Sequence, residues 1–135
     1  MLDLLKRWLS SKDTAKPRRV RTPTVLQMEA AECGAACLTM ILAHYGRWVP
    51  LDKVRQDCGV SRDGSKASYV VKAAEGYGLY GQGLRVTPDS IKNLKFPLIA
   101  FWNLNHFVVV EGFDKKRWFL NDPAEGPRYV TYEEF

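Results

Sequence analysis

The sequence predicts an α+β fold in which N-terminal helices pack on a C-terminal antiparallel sheet. Up to Gly78, apolar residues recur at the three- and four-residue spacing that is typical of helices. From Pro97 onward, short segments are rich in β-branched and aromatic residues, and turn-forming residues separate them. Helices that come first and strands that come last favour separate layers over a parallel sheet with alternating helices.

Three helices are predicted, and a glycine at or near the end of each favours a helix C-terminus there. Their ranges are 33–45, 51–57 and 67–77. The first of them is apolar on most sides, so we expect it to be buried.

Four strands are predicted, over 97–103, 106–113, 117–121 and 129–132. His106 begins the second, and Asp122 directly follows the third. A three-residue loop at 114–116 would place Asp122 opposite Val108, on the same face of the sheet as His106. A two-residue turn would place the two side chains on opposite faces. If the two residues work together, the hairpin must have an odd loop or a bulge.

Charge divides the chain into two parts. Residues 1–24 carry seven Lys or Arg and two Asp, so 20 − 7 = 13 basic and 15 − 2 = 13 acidic residues remain for 25–135. We therefore predict a basic N-terminal extension over 1–24 and one domain over 25–135, with 46% hydrophobic residues in the whole chain. A domain without excess positive charge has no evident face for phosphates, so nucleic acid is not expected as a partner.

The extension has two open interpretations. Leu2, Leu5 and Leu9 would form an apolar stripe on a short helix, which is typical of a segment that binds a membrane surface or a partner. A solvated extension is the interpretation that we favour, because the stripe is short and short isolated helices are marginally stable.

The cysteines and histidines indicate the compartment. Three cysteines without framework spacing favour a reducing, cytosolic environment without disulfides. With two histidines at spacings unlike those of zinc fingers, no metal site is expected. The N-terminus lacks the features of a signal peptide, and no apolar run of about 18 residues is present, so we do not expect this chain to cross a membrane.

Cys33 is the candidate nucleophile. It opens the apolar first helix, where unpaired backbone N–H groups favour the reactive thiolate over the thiol. His106 and Asp122 follow in the order that a base and its orienting group would take. A cysteine read alone is more often a small core residue, which is the interpretation we give to Cys37 and Cys58.

Several separated motifs resemble the bacteriocin-processing cysteine peptidase domain of peptidase-containing ABC transporters. The resemblance covers 25–135, and the residues that carry it are Gln27, 32–34, 36–38, 61–68, 106–110 and 122–123. It implies a papain-like fold that cleaves leader peptides after a double-glycine-type motif, on the cytoplasmic face of the bacterial membrane. In that family the domain continues into a membrane domain and an ATPase domain, which are then the implied partners of an isolated peptidase domain.

The resemblance also implies roles for individual residues. Cys33 is the nucleophile, His106 the base, Asp122 the group that orients His106, and Gln27 an oxyanion-hole donor. The leader would bind as an amphipathic helix, and no cofactor is implied, because ATP acts only at the ATPase domain. Two alternatives stay open: a transglutaminase-like or deamidating acyl-transfer enzyme with the same chemistry, and a non-catalytic docking domain for exported peptides.

Overall fold

The computed structural model of the protein describes residues 17–61, 64, 66–102 and 106–135. Its helices are α1 (Cys33–His44), α2 (Leu51–Asp57), α3 (Ala67–Gly76) and α4 (Pro88–Ile91), and a single 3-10 turn, Ala30–Glu32, leads into α1. Its strands are β1 (Arg18–Arg19), β2 (Leu98–Trp102), β3 (His106–Phe113), β4 (Arg117–Asp122) and β5 (Gly126–Thr131). The predicted apolar stripe at residues 2–9 lies outside the described residues.

All strand pairs of the sheet are antiparallel. β3, β4 and β5 pair in chain order, and β1 and β2 both pair with β3. β2 runs along 106–110 of β3, whereas β1 pairs only with Phe113 and Gly112 at its far end. The predicted α+β class with an antiparallel sheet is therefore confirmed.

The hairpin between β3 and β4 contains a bulge. Phe113 pairs with Trp118 and Gly112 with Phe119, but Val110 pairs with Leu120, so Glu111 is an extra residue in β3. The hairpin closes through Asp114 N–H, which donates to the Arg117 carbonyl at 2.9 Å. The three-residue loop was therefore the wrong alternative and the bulge the right one, because the extra residue shifts the register by one position.

Helix α1 lies between the sheet and the other helices, as its apolar sequence predicts. Every residue of α1 before His44 is buried. One side of α1 packs with α2 and α3 around Leu38, Leu42 and Val54, and the other side packs with Phe107 and Val109 of β3. A separate core around Trp118 lies among the strands and α4.

The strand β5 and the short helix α4 differ from the predictions. β5 begins at Gly126 rather than Tyr129, and Pro127, interpreted from sequence as a turn residue, pairs with Asn121. Proline is compatible with this position because β5 is the last strand in the sheet order. Helix α4 was not predicted, since its four residues are too few to show a periodicity.

Residues 18–27, which we call the strap, run along the sheet before α1 begins. They include β1 and the residues up to Gln27, whose backbone N–H donates to the Pro123 carbonyl at 2.8 Å. Residues 18–24 were assigned to the basic extension, and they nevertheless pack on the sheet. No helix in the described part of the chain is long and apolar enough to cross a membrane.

Candidate active site

His106 and Asp122 are in direct contact. The Nε2 atom of His106 lies 2.7 Å from Oδ1 of Asp122. His106 begins β3 and Asp122 ends β4, and the bulge gives their strands the register that this contact requires. Because Nε2–H donates to the carboxylate, Nδ1 is the ring nitrogen that remains for proton transfer.

Asp122 is almost fully buried, and three groups other than His106 hold its position. Its Oδ1 also accepts from the backbone N–H of Ala124 at 2.8 Å. Its Oδ2 lies 3.5 Å from Nη1 of Arg128. Its backbone pairs with Gly126 across the turn into β5. A carboxylate with these contacts has a fixed orientation toward the imidazole.

Cys33 is the first residue of α1 and directly follows the 3-10 turn Ala30–Glu32, so it lies at the positive end of the helix dipole. The first turn of α1 packs closely on β3, because a Cβ placed on Gly34 would lie 3.2 Å from the ring of Phe107, the residue after His106. Cys33 itself is 9% exposed and belongs to the same apolar cluster as Phe107. The helix end that carries Cys33 is therefore adjacent to the start of the strand that carries His106.

Cys37 lies one turn further along α1, and its pKa is affected by two of the candidate catalytic residues. Burial raises the pKa of the Cys37 thiol well above its usual value, and negative charge on Cys33 and on Asp122 raises it further. Both groups are thus within electrostatic range of Cys37. A fully buried thiol with a raised pKa stays protonated, which is compatible with the packing role that the sequence predicts for Cys37.

The backbone of Gln27 is held by a hydrogen bond to the end of β4. Its N–H bonds to Pro123, next to Asp122 in the chain, so the strap brings Gln27 to the end of β4. Its Oε1 is buried and accepts no hydrogen bond from the described residues. The amide is therefore not committed to a structural hydrogen bond through its oxygen.

Arg128 is a residue of this site that was not predicted from the sequence. Its guanidinium approaches Asp122, ion-pairs with Glu125 and lies 5.4 Å from the ring centroid of Trp102, which pairs with His106 in the sheet. Arg128 pairs with Leu120, so it sits diagonally across from Asp122 on the neighbouring strand. That relation depends on where β5 begins, and the predicted strand began one residue after Arg128.

Metal ligation has no support in the part of the chain that the structure describes. No three His, Cys, Asp or Glu side chains among these residues form a group that could hold an ion. The arrangement of a helix-end thiol, an imidazole and a carboxylate is instead suited to nucleophilic catalysis.

Comparison with known proteins agrees with this chemistry. The model of the Peptidase C39 family matches residues 21–135. The probable microcin-H47 secretion/processing ATP-binding protein MchF of Escherichia coli is 38% identical over 116 residues, which are 86% of this chain and 17% of that protein. The colicin V secretion/processing ATP-binding protein CvaB of Escherichia coli is 38% identical over 114 residues, 84% of this chain and 16% of the relative. The chain thus spans about a sixth of the length of these curated relatives.

Two crystal structures share the fold. A double glycine motif protease from an AMS/PCAT transporter, in complex with the leader peptide, superposes with a TM-score of 0.85 at 52% identity over 90% of each chain. The peptidase domain of Streptococcus ComA, a bi-functional ABC transporter involved in a quorum sensing pathway, has a TM-score of 0.75 at 24% identity and covers 82% of this chain and 87% of its own.

Proposed function

Because the chain belongs to the Peptidase C39 family and is a cysteine peptidase, we propose that it removes leader peptides from ribosomally made precursors by cutting after a double-glycine-type motif. The observation that carries the proposal is the His106–Asp122 contact beside the N-terminal end of α1, where Cys33 lies. The likeness to a double glycine motif protease, at 52% identity over nine-tenths of both chains, supports the substrate class.

In the proposed first step, Nδ1 of His106 takes the proton of the Cys33 thiol. The thiolate then attacks the carbonyl carbon of the second glycine. Asp122 fixes the tautomer, because a proton on Nε2 that is donated to the carboxylate leaves the lone pair on Nδ1. Asp122 also stabilises the imidazolium that forms, since its negative charge lies 2.7 Å from Nε2.

Two donors are available for the oxyanion of the tetrahedral intermediate. They are the side-chain amide of Gln27 and the backbone N–H of Cys33 at the start of α1. Removal of one such donor typically costs about 2.7 to 4 kcal/mol of transition-state stabilisation. His106 then protonates the leaving amine, and water, activated by the same imidazole, releases the leader from Cys33.

We further propose that the leader binds as an amphipathic helix and that the two glycines occupy a channel too narrow for side chains. The partners would be the membrane and ATPase domains of an ABC transporter at the cytoplasmic face of the membrane. The relatives MchF and CvaB, named as secretion/processing ATP-binding proteins, support this context. Each proposed step uses the chain's own side chains and water, so no cofactor is required.

The test is mass spectrometry of a synthetic leader peptide that ends in Gly-Gly-X, incubated with the wild type, Cys33→Ala and Cys58→Ala. Cys58 is also buried but lies after α2, so it is the matched control for removal of a thiol. We expect cleavage after the second glycine by the wild type and Cys58→Ala only. Binding without cleavage by all three would instead indicate a docking domain, and transfer of an added amine to a glutamine would indicate a transglutaminase-like enzyme.

A further inference from the structure

A part-buried polar network joins the strap to the two strands of the proposed active site. Glu111, the extra residue of the bulge, is 2% exposed and accepts two hydrogen bonds from Thr22 at 2.7 Å, one from its backbone N–H and one from its hydroxyl. Arg19 adds a charge 3.5 Å from the other carboxylate oxygen of Glu111. The Glu111 carbonyl accepts from Val20 N–H at 2.9 Å, so both backbone and side chain of the bulge hold the strap.

The neighbouring strand contributes Asn121, which is fully buried. Its Nδ2 donates to the carbonyl and hydroxyl oxygens of Thr22 and to the hydroxyl of Thr24, at 3.0 to 3.2 Å. Asn121 directly precedes Asp122 in β4. The strap is therefore fastened to the same strand end that orients His106.

The last contact of this series reaches Gln27. The backbone N–H of Gln27 bonds to Pro123, two residues after Asn121. The contacts that the structure describes for this region are therefore the backbone hydrogen bond of Gln27 and the hydrogen bonds that hold the strap before it. The chain from Thr24 to Gln27 is short, so a shift at Thr22 and Thr24 moves Gln27 relative to Asp122.

We propose that Thr22, Glu111 and Asn121 are positioning residues that set the distance between the oxyanion donor Gln27 and the His106–Asp122 pair. None of the three is assigned to the reacting atoms. They act through Gln27, and the inference therefore rests on the role given to Gln27 under the proposed function. The network is built from part-buried hydrogen bonds, and the two that the Glu111 carboxylate accepts are charge-assisted. Such bonds hold a geometry more firmly than exposed neutral ones.

The test is a double-mutant cycle of Thr22→Val and Gln27→Ala, with kcat and KM measured on a Gly-Gly leader peptide. Valine keeps the shape of threonine but removes the hydroxyl that donates to Glu111 and accepts from Asn121. Loss of an oxyanion donor lowers kcat by about 100-fold or more. Thr22→Val keeps the donor Gln27 but holds it less firmly, so we expect this variant to lower kcat by about five- to tenfold and to change KM by less than about twofold. In the Gln27→Ala background the same Thr22→Val change should lower kcat by less than about twofold.

Thr131→Val is the matched control. Its hydroxyl also takes part in a hydrogen bond, from Glu134 N–H at 3.2 Å, but at the end of β5 away from the strap. We expect its kcat to stay unchanged. If Thr22→Val folds poorly, Thr24→Val removes only one acceptor of Asn121 and should give a smaller loss of the same kind.

A second readout is independent of catalysis. Amide hydrogen exchange at Gln27 should become faster in Thr22→Val and not in Thr131→Val, because the Gln27 N–H is held by Pro123 only while the strap is in place.

An equal loss of kcat from Thr22→Val in both backgrounds would overturn the inference, because a general loss of stability acts without Gln27. An unchanged kcat in Thr22→Val would overturn it too. If Gln27→Ala keeps the full kcat, Gln27 is not an oxyanion donor and the network has no donor to position. The proposed function would still hold in that case, provided that the wild type cleaves the leader. Absence of cleavage by the wild type would refute the proposed function itself.

Discussion

Asp122→Asn is the most informative single change at the proposed catalytic site. In proteases with a Ser-His-Asp triad, the corresponding change lowers kcat by about 10⁴, because the amide selects the wrong histidine tautomer. Here Oδ1 of Asp122 lies between two donors, His106 Nε2–H at 2.7 Å and Ala124 N–H at 2.8 Å. The asparagine must turn its oxygen to that position, because its NH₂ group would otherwise face the Ala124 N–H. The tautomer with the lone pair on Nδ1 is then retained.

We therefore expect Asp122→Asn to lower kcat because the negative charge is lost, and not because the tautomer of His106 changes. A hydrogen bond to a charged group contributes about 1.5 to 3 kcal/mol and a neutral one about 0.5 to 1.5, so the difference is about 1 to 1.5 kcal/mol. Since about 1.4 kcal/mol corresponds to a factor of ten in rate, Asp122→Asn should lower kcat by about tenfold. Asp122→Ala, which removes both orientation and charge, should lower it much further.

The assay is steady-state cleavage of a Gly-Gly leader peptide, with thermal unfolding to confirm that each variant folds. Arg128→Gln is the control, because Asp122→Asn also loses the contact of Oδ2 with Arg128 at 3.5 Å. A loss near 10⁴ in Asp122→Asn would refute the argument that Ala124 fixes the amide. A loss below about twofold would show that the charge of Asp122 contributes little to catalysis.

Two further predictions concern the thiols and the bulge. Burial raises the pKa of Cys58 to about 11, so at about pH 8 only about one such thiol in a thousand is ionised. Iodoacetamide should therefore alkylate Cys33 first, and the rate at Cys58 should rise about tenfold per pH unit until it levels off near about pH 11. Early modification of Cys58 in the mass spectrum would contradict this. A Cβ on Gly112 would lie 2.0 Å from the carbonyl oxygen of Arg18, so Gly112→Ala should displace β1 and destabilise the fold by about 2 kcal/mol in urea unfolding. Gly83→Ala, where a Cβ meets nothing within 4 Å, is the control and should leave the unfolding midpoint within experimental error.

The elements that could be predicted are those whose sequence pattern is strong over many residues. Helix α1 has 12 residues with an apolar character on most sides, and it was predicted within one residue of its end. The strand β3 was predicted with its observed bounds, since a run of valines between two aromatic residues is typical of a buried strand. In both cases the local preference and the burial in the fold agree.

The strand β1 and the strap could not be predicted, because nothing local favours them. Two arginines have little β propensity, and their pairing with Gly112 and Phe113 depends on partners almost a hundred positions away in the chain. The same is true of Thr22, whose partners Glu111 and Asn121 are separated from it by 89 and 99 positions. A charge count assigned these residues to an extension, and only the folded sheet shows what they bind.

The contact between His106 and Asp122 could be predicted from the sequence only in part. The need to bring His106 and Asp122 to one face requires an odd shift in the hairpin, whichever device supplies it. The choice between a longer loop and a bulge could not be predicted from the sequence. The Asp114 carboxylate accepts hydrogen bonds from the backbone N–H groups of Lys116 and Arg117, and such a turn is compatible with several loop lengths.

The bulge accounts both for the contact between His106 and Asp122 and for the attachment of the strap to the sheet. By adding Glu111 to β3, it shifts the register toward the one that joins Asp122 to His106. The same extra residue is free of the β4 ladder, and its carboxylate and carbonyl instead hold the strap through Thr22 and Val20. A three-residue loop would have given the same register without a buried anchor for the strap. The bulge therefore links the orientation of the proposed base His106 to the strap, and the double-mutant cycle measures the part of this link that runs from Thr22 to Gln27.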